Sequence, residues 1–488
     1  MTRYLAFDLG AESGRAILGT FESGRLALEE LHRFPNTPVR VFSSLYWDTL
    51  RLWHEIQQGL TIAGRERRLK LDGIGVDTWG VDFGLLGPDG GLMENPRHYR
   101  DSRTNGMMEK VFATVPRDEV FDQTGIQIMQ INTLFQLYAM REAGAPALDG
   151  ACKLLMAPDL FNYWLTGVAK SELTIASTSQ CYNPRRGRWA TELFDRLGLP
   201  KTILPEIVAA ATRLGTLLPS IGEGAGLDGT PVYATGCHDT ASAVAAVPAS
   251  GDNWCYISSG TWSLMGVELD APVIDRRSLA LNMTNEMGAG GKTRLLKNIP
   301  GLWLLQECRR AWALAGRKYS YGQLTAMAGE APAFSAVLDP DAFLEPDDMP
   351  ARICSYCRTT GQEQPKSAAA MARAIFESLA LRYREVLESL EILLGRKLEI
   401  IHIVGGGSRN GLLNQFVADA SARTVIAGPA EATAMGNVLI QTMGAGEIQG
   451  LAQAREIVRN SAALETFTPQ QNAAWDRAYE RFRNIVQR

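Results

Sequence analysis

Short apolar runs alternate with longer amphipathic stretches along the chain, the pattern of an α/β protein. Strands are predicted at "YLAFDL" (4–9), "GRAILGTF" (14–21), "LALEELHRF" (26–34), "IGVDTW" (74–79) and "VDFGLL" (81–86). A helix is predicted over 47–67, where Leu50, Trp53, Ile56, Leu60 and Ile62 follow helical spacing. A second, longer one runs over 368–395 and stops at Gly395, a residue type that ends helices without steric cost.

One arrangement occurs twice. Near the start, "YLAFDLGAESGRAILGTF" places two apolar strands around a turn of small residues, and "WCYISSGTWSLMGVEL" (254–269) repeats it. Each half then has a further apolar strand ending in small polar residues, "GIGVDTWG" (73–80) and "IIHIVGGG" (400–407). Two related α/β domains facing each other across a cleft are expected. They would join near 245–253, where Pro, Ser, Gly and Asp cluster, so the predicted domains are 1–247 and 248–488.

A length of 488 residues also suits two domains rather than one core. A net charge of −4 gives no electrostatic reason to expect nucleic acid or an anionic membrane as partner. No apolar run is long enough for a membrane helix, and no basic-then-apolar leader opens the chain. The seven cysteines are an odd and scattered set, which suits a reducing compartment, so a cytoplasmic protein is expected. Cys354 and Cys357 stand close together, but a lone Cys-x-x-Cys is weak support for a metal.

The segment "NEMGAGGKTRLLKN" (285–298) looks like a phosphate-binding loop at Gly291-Lys292-Thr293. The pattern needs a glycine where Glu286 stands, and apolar side chains flank the glycines on both arms. It reads instead as a β-hairpin with a glycine-rich turn. Better candidates lie elsewhere. Asp8 ends an apolar strand and precedes Gly10, Ser13 and Gly14; an acid there is costly unless paired or near a cation, and the small residues let an anion approach the backbone. A hydrated Mg²⁺ beside a phosphate turn, or a hairpin with an incidental acid, would both explain it. In "VYATGCHDTASAVAAV" (232–247), Asp239 stands near the start of a small-residue helix, where backbone donors favour its ionised form. It could be a helix cap, and facing a cleft it could also take a proton from a substrate hydroxyl. A Cys237–His238 nucleophilic pair is disfavoured because adjacent residues in extended chain point apart. The turn 258–261 and the glycines of "IIHIVGGGSRNGLLNQ" (400–415) would let a phosphate or flat ligand reach the backbone.

Residues 8–15, "GVDTWGVDF" (75–83), "YRDSRTNG" (99–106), "GCHDTASAV" (236–244), "SSGTWSLMG" (258–266), "LLKNIPGLWLLQ" (295–306) and "HIVGGGSRN" (402–410) together resemble the FGGY-type carbohydrate kinases. The resemblance runs from residue 3 to about 468, in family order. It implies a two-domain actin/hexokinase-like fold, each half built on a ribonuclease-H-like core. It implies ATP phosphate contacts at Ala11, Glu12, Ser13, Gly14 and Arg15, with Mg²⁺ beside Asp8. It makes Asp239 the catalytic base, with sugar contacts at Gly80, His238, Asp239, Thr240 and Asn298. Thr261, Gln306 and Gly406 match nucleotide-binding positions. The implied reaction is ATP-dependent phosphorylation of a ketose at O1, with L-rhamnulose expected first. L-fuculose, L-ribulose, or a non-catalytic sugar sensor are the alternatives. A monomer is expected by analogy, and no disulfide is carried over, because Cys354 and Cys357 are too close in sequence to match the family's spacing.

Overall fold

The computed structural model describes residues 1–344, 348–470 and 473–486. Its contacts divide the chain into two units. One comprises Met1–Pro248, Glu268–Leu295 and Ala432–Ser461; the other comprises Ala249–Val267, Leu296–Glu431 and Ala462–Arg488.

In the first unit, β1 (Thr2–Leu9), β2 (Ser13–Glu22) and β3 (Arg25–Pro35) form an antiparallel meander. Strand β4 (Gly73–Thr78) runs parallel to β1 on its other side, and is followed in space by β6 (Pro231–Tyr233) and the edge strand β5 (Arg213–Thr216). Strands β1 and β4 are buried along almost their whole length and read as continuous apolar runs, as central strands covered on both faces must. The helix Ala432–Gly444 packs on this sheet and against the short helix Asp239–Ala245. Their backbones meet so closely at Gly436 that a Cβ there would lie 1.7 Å from the Ser242 carbonyl oxygen. A second core, around Leu134, Phe135, Phe194 and Leu154, holds the helices inserted between β4 and β5.

In the second unit, β7 (Trp254–Ser259) and β8 (Trp262–Leu269) form an antiparallel hairpin. Strand β9 (Ile400–Val404) runs parallel to β7 and β10 (Thr424–Ala427) parallel to β9, with β11 (Glu465–Phe467) antiparallel at the edge. The helix Ala368–Leu394 is capped by Ser367 and stopped by Gly395 in the left-handed conformation. A hairpin followed by two parallel strands on the same side is thus the shared plan of both units, and it accounts for the repeated sequence pattern.

Local differences from the sequence reading have physical causes. The predicted helix 47–67 is α-helical only over Thr49–Thr61 and continues as a π-turn, Ile62–Glu66. Leu50 faces solvent, while Leu52, Ile56 and Leu60 form its buried stripe. The strand predicted from 81 begins at Phe83, because Val81 adopts φ +68 and breaks the extended run. The segment 285–298 is a hairpin as expected: strands Thr284–Met287 and Thr293–Pro300 are neighbours, and the Gly288 N–H donates to the Lys292 carbonyl at 2.7 Å. Lys292 itself pairs with Asp270 on the surface, 2.6 Å away.

Candidate active site

Strand pairing assembles a set of acids in the first unit. Asp8 stands opposite Arg15 across the β1–β2 hairpin and opposite Asp77 across the parallel β1–β4 pair. Arg15 forms an ion pair with Asp8. Asp77 is fully enclosed; one of its oxygens accepts from Asn437 Nδ2 at 2.5 Å and the other has no hydrogen-bond partner. Gln441 holds that asparagine in turn, donating to its Oδ1 at 2.7 Å and to the Leu5 carbonyl at 3.2 Å. Burial, then the neighbouring Asp8 charge, push the Asp77 carboxyl well above the ordinary carboxylate range; Asp239 adds to this, while Asn437 and Arg15 oppose it. Ala11 and Glu12 form the turn between β1 and β2, and Ser13, Gly14 and Arg15 begin β2. Asn36 ties this turn down: its backbone N–H donates to the Glu12 carbonyl at 2.9 Å and its side chain to the Gly10 carbonyl at 2.8 Å.

Asp239 is the first residue of the helix Asp239–Ala245, and His238, not Asp239, occupies the cap position. The Asp239 side chain keeps 28% of its surface exposed, so it is both near the helix N-terminus and reachable. Burial raises its pKa and Asp8 raises it further, while His238 pulls it down. Thr240 donates to Asp239 Oδ1 at 3.1 Å. The turn before it is fastened from beneath. The Cys237 N–H donates to buried Glu172 Oε2 at 3.2 Å, and the His238 N–H donates to Thr174 Oγ1 at 3.1 Å; that hydroxyl donates to the same carboxyl oxygen at 2.5 Å. Desolvation lifts the Glu172 carboxyl to about 7. Cys237 is enclosed, with its thiol pushed far up by burial, and the His238 ring bonds to Arg294 rather than to sulfur. No Cys–His nucleophile exists here.

Gly80 lies in the loop after β4, beside the strained Val81. Thr178 Oγ1 accepts from the Val81 N–H at 3.2 Å, while Thr133 and Gln136 donate to its carbonyl at 2.6 and 3.3 Å. Next to it, buried Asp82 accepts from the indoles of Trp47 and Trp79 at 2.5 and 2.9 Å and from Gln136 at 3.0 Å. Burial carries its pKa up to about 6 despite these donors. A β-branched residue held at positive φ stores strain that only such a network can enforce.

In the second unit, Thr261 sits in the β7–β8 turn. The turn is closed by the Gly260 N–H donating to the Trp262 carbonyl at 2.9 Å, and its own carbonyls accept from the N–H groups of Gly301, Leu302 and Trp303. The glycine segment after β9 presses on it: a Cβ at Gly407 would lie 2.0 Å from Ser259 Oγ, whereas Gly406 is exposed with open space around it. Gln306, on the helix Trp303–Leu314, has a buried Oε1 without a hydrogen-bond partner, and Asn298 lies half-buried on the strand Thr293–Pro300.

Among the described residues no three His, Cys, Asp or Glu side chains form a cage for a metal ion. Mg²⁺ needs none, since it commonly keeps its waters and is held by one or two carboxylates together with phosphate oxygens. Asp8, at the end of β1, is the carboxylate that would meet that requirement, while Asp77 behind it is wholly enclosed. Asp77, Asp82, Glu172 and Arg294 are not among the site residues expected from sequence, and Glu286 enters there only as the break in the phosphate-loop pattern. Asp77 and Asp82 carried a readable signal, each being an acid inside a predicted apolar strand as Asp8 is.

The fold and these residues define a two-domain sugar kinase of the actin/hexokinase-like type. Residues 3–246 match the N-terminal domain of the FGGY family of carbohydrate kinases and residues 255–445 match its C-terminal domain, so the chain belongs to that family. Its relatives include the rhamnulokinases of Bacteroides thetaiotaomicron, 48% identical over 99% of both chains, and Bacillus subtilis, 38% identical over 96% of this chain and 95% of the other. The fold is also that of a ligand-bound xylulose kinase from Lactobacillus acidophilus, with TM-score 0.84 at 16% identity over 100% and 98% of the two chains. Glycerol kinase from Plasmodium falciparum with ADP gives 0.77 at 14% identity over 100% and 97%. No helix among the described residues is long and apolar enough to cross a membrane.

Proposed function

We propose that this protein transfers the γ-phosphoryl group of ATP to the O1 hydroxyl of L-rhamnulose, giving L-rhamnulose 1-phosphate and ADP in L-rhamnose catabolism. The observation that carries the reading is near-full-length identity of 48% to a rhamnulokinase, together with a reachable carboxylate at Asp239. Asp239 takes the O1 proton as O1 bonds to the γ-phosphorus and the bond to the β,γ-bridging oxygen breaks, leaving ADP. His238, Thr240, Gly80 and Asn298 hold the sugar. The N–H groups and hydroxyls of 11–15 and Thr261, with Gln306 and Gly406, hold the nucleotide. Asp8 would hold a Mg²⁺, which when bound would supply charge neutralisation at the phosphate oxygens. Residues 1–247 form the sugar-binding and phosphate-contacting domain, and 248–488 the nucleotide-binding domain. The protein acts as a cytoplasmic monomer, a state that light scattering would check.

The test is ADP release from Mg·ATP with L-rhamnulose, beside L-fuculose, L-ribulose, D-xylulose, glycerol and a blank without sugar. A dominant rate with L-rhamnulose supports the proposal. Faster turnover of another ketose replaces the substrate but keeps the reaction, and background rates throughout overturn both.

A further inference from the structure

The hairpin that imitates a phosphate loop carries two buried charges beside the catalytic turn. Arg294 has no exposed surface and Glu286 is almost as enclosed. Arg294 Nη2 lies 3.1 Å from Glu286 Oε2 and 3.1 Å from His238 Nδ1, and its Nε donates to the Met287 carbonyl at 3.2 Å. The same Glu286 oxygen is 3.2 Å from Nδ1. On the far side of the ring, Nε2 lies 3.6 Å from Asp239 Oδ1.

A buried ion pair is a poor device for stability, because a packed apolar pair usually does as well. It is a good device for orientation. Nδ1 faces a donor, Arg294 Nη2 at 3.1 Å, and an acceptor, Glu286 Oε2 at 3.2 Å, but that carboxylate oxygen is already claimed by the guanidinium, which has only donors. The arrangement therefore favours an accepting Nδ1 with the proton on the other ring nitrogen. Glu286 holds the guanidinium by Nη2, the same nitrogen that meets His238.

We infer that Glu286 and Arg294 are positioning residues, which hold His238 in the form protonated at Nε2 and aim that N–H at a hydroxyl oxygen of the ketose beside Asp239. The inference rests on the proposed sugar site for what the N–H meets, but the protonation pattern is a property of the protein alone. The arrangement resembles the outer-shell partners that fix metal-bound histidines, applied to a sugar contact.

Nitrogen NMR of the ¹⁵N-histidine-labelled full chain tests it. The chain has five histidines, and His238→Gln identifies the relevant signals by their loss. The wild-type spectrum should show His238 protonated at Nε2. In Glu286→Gln/Arg294→Gln, which removes both charges together, the Nδ1-protonated form should appear. The KM for the ketose should then rise about tenfold, as for one lost hydrogen bond, with the KM for ATP unchanged. Arg294→Lys, which keeps a charged donor, should recover part of the ketose KM. A wild-type ring protonated at Nδ1 overturns the inference, as does a folded double variant with wild-type ketose KM, or one in which both KM values rise together. Should the double variant not fold, the wild-type spectrum decides alone. Were no sugar phosphorylated, the kinase reading would fail while the spectrum still tested the tautomer.

Discussion

Asp8 and Asp77 stand directly opposite each other on neighbouring parallel strands, and Asp77 is the one wholly shut off from water. Its raised pKa, due first to burial and then to Asp8, means that the folded protein keeps a proton which the unfolded chain releases at the ordinary Asp value of about 3.9. The folded state therefore binds more protons in that window, and this group's share of stability falls as pH rises from the ordinary Asp range through the raised value. Asp77→Asn removes that loss while preserving an acceptor for Asn437. Thermal unfolding should show the variant gaining on wild type as pH rises from the ordinary Asp range. An unchanged difference across that range would sink the reading.

Glu172 offers a second titration with a different readout. Its carboxyl, lifted to about 7 by burial, accepts from the Cys237 N–H and from the Thr174 hydroxyl that carries His238. The sign is the same: stability from this group falls as pH rises from about 4.3, the ordinary value for Glu, to about 7, and is flat above. In Glu172→Gln the urea midpoint should lose that part of its pH dependence. The sugar KM should rise as well, because a neutral amide oxygen is a weaker acceptor than the carboxyl oxygen that takes the Cys237 and Ile175 N–H groups and the Thr174 hydroxyl.

The glycines after β9 divide into one that packs and one that is open. Gly407→Ala would drive a Cβ into Ser259 and should cost about 1–3 kcal/mol of stability, the usual range for overpacking. Gly406→Ala meets nothing within 4 Å, so folding should be untouched while the KM for ATP rises. Calorimetry and ATP titrations on the two variants would separate the roles; equal effects on both properties in both variants would refute the division.

What could be read from the sequence follows from how local each signal is. Asp8 and Asp239 stood out because an acid at the end of an apolar strand, or at a helix start, is conspicuous along the chain itself. The repeated hairpin was legible for the same reason. Asp77 carries the same signal as Asp8, yet its meaning comes from strand register, which brings residues about 70 positions apart side by side. Arg294 and Glu286 were hidden more deeply. Nothing in the hairpin pattern of 285–298 marks them as interior, and only their burial and the contact of Arg294 with His238 show it. Leu50 failed in the opposite way: its spacing suited the helix, yet the buried stripe that holds Ile56 and Leu60 begins at Leu52 and leaves Leu50 exposed.

Asp239 is the proposed base. Its position as the first helical residue, its exposure and its neighbours all serve a carboxylate that is ionised and reachable, while burial and Asp8 keep it more basic than an ordinary aspartate. A better base is a better proton acceptor for a hydroxyl whose own proton must leave as phosphorus is attacked. Asp239→Asn should therefore lower kcat by about 10²–10⁴ with folding intact, the share that general-base help supplies. The acidic limb of the kcat/KM profile should lie above the ordinary Asp range, and it should vanish from the residual activity of the variant. Lys292→Ala is the control: its partner is the surface Asp270, so turnover and the KM for ATP should stay at wild-type values. A variant at Asp239 with near-normal kcat would leave the site without its base, and a damaging Lys292→Ala would restore the phosphate-loop reading of the hairpin.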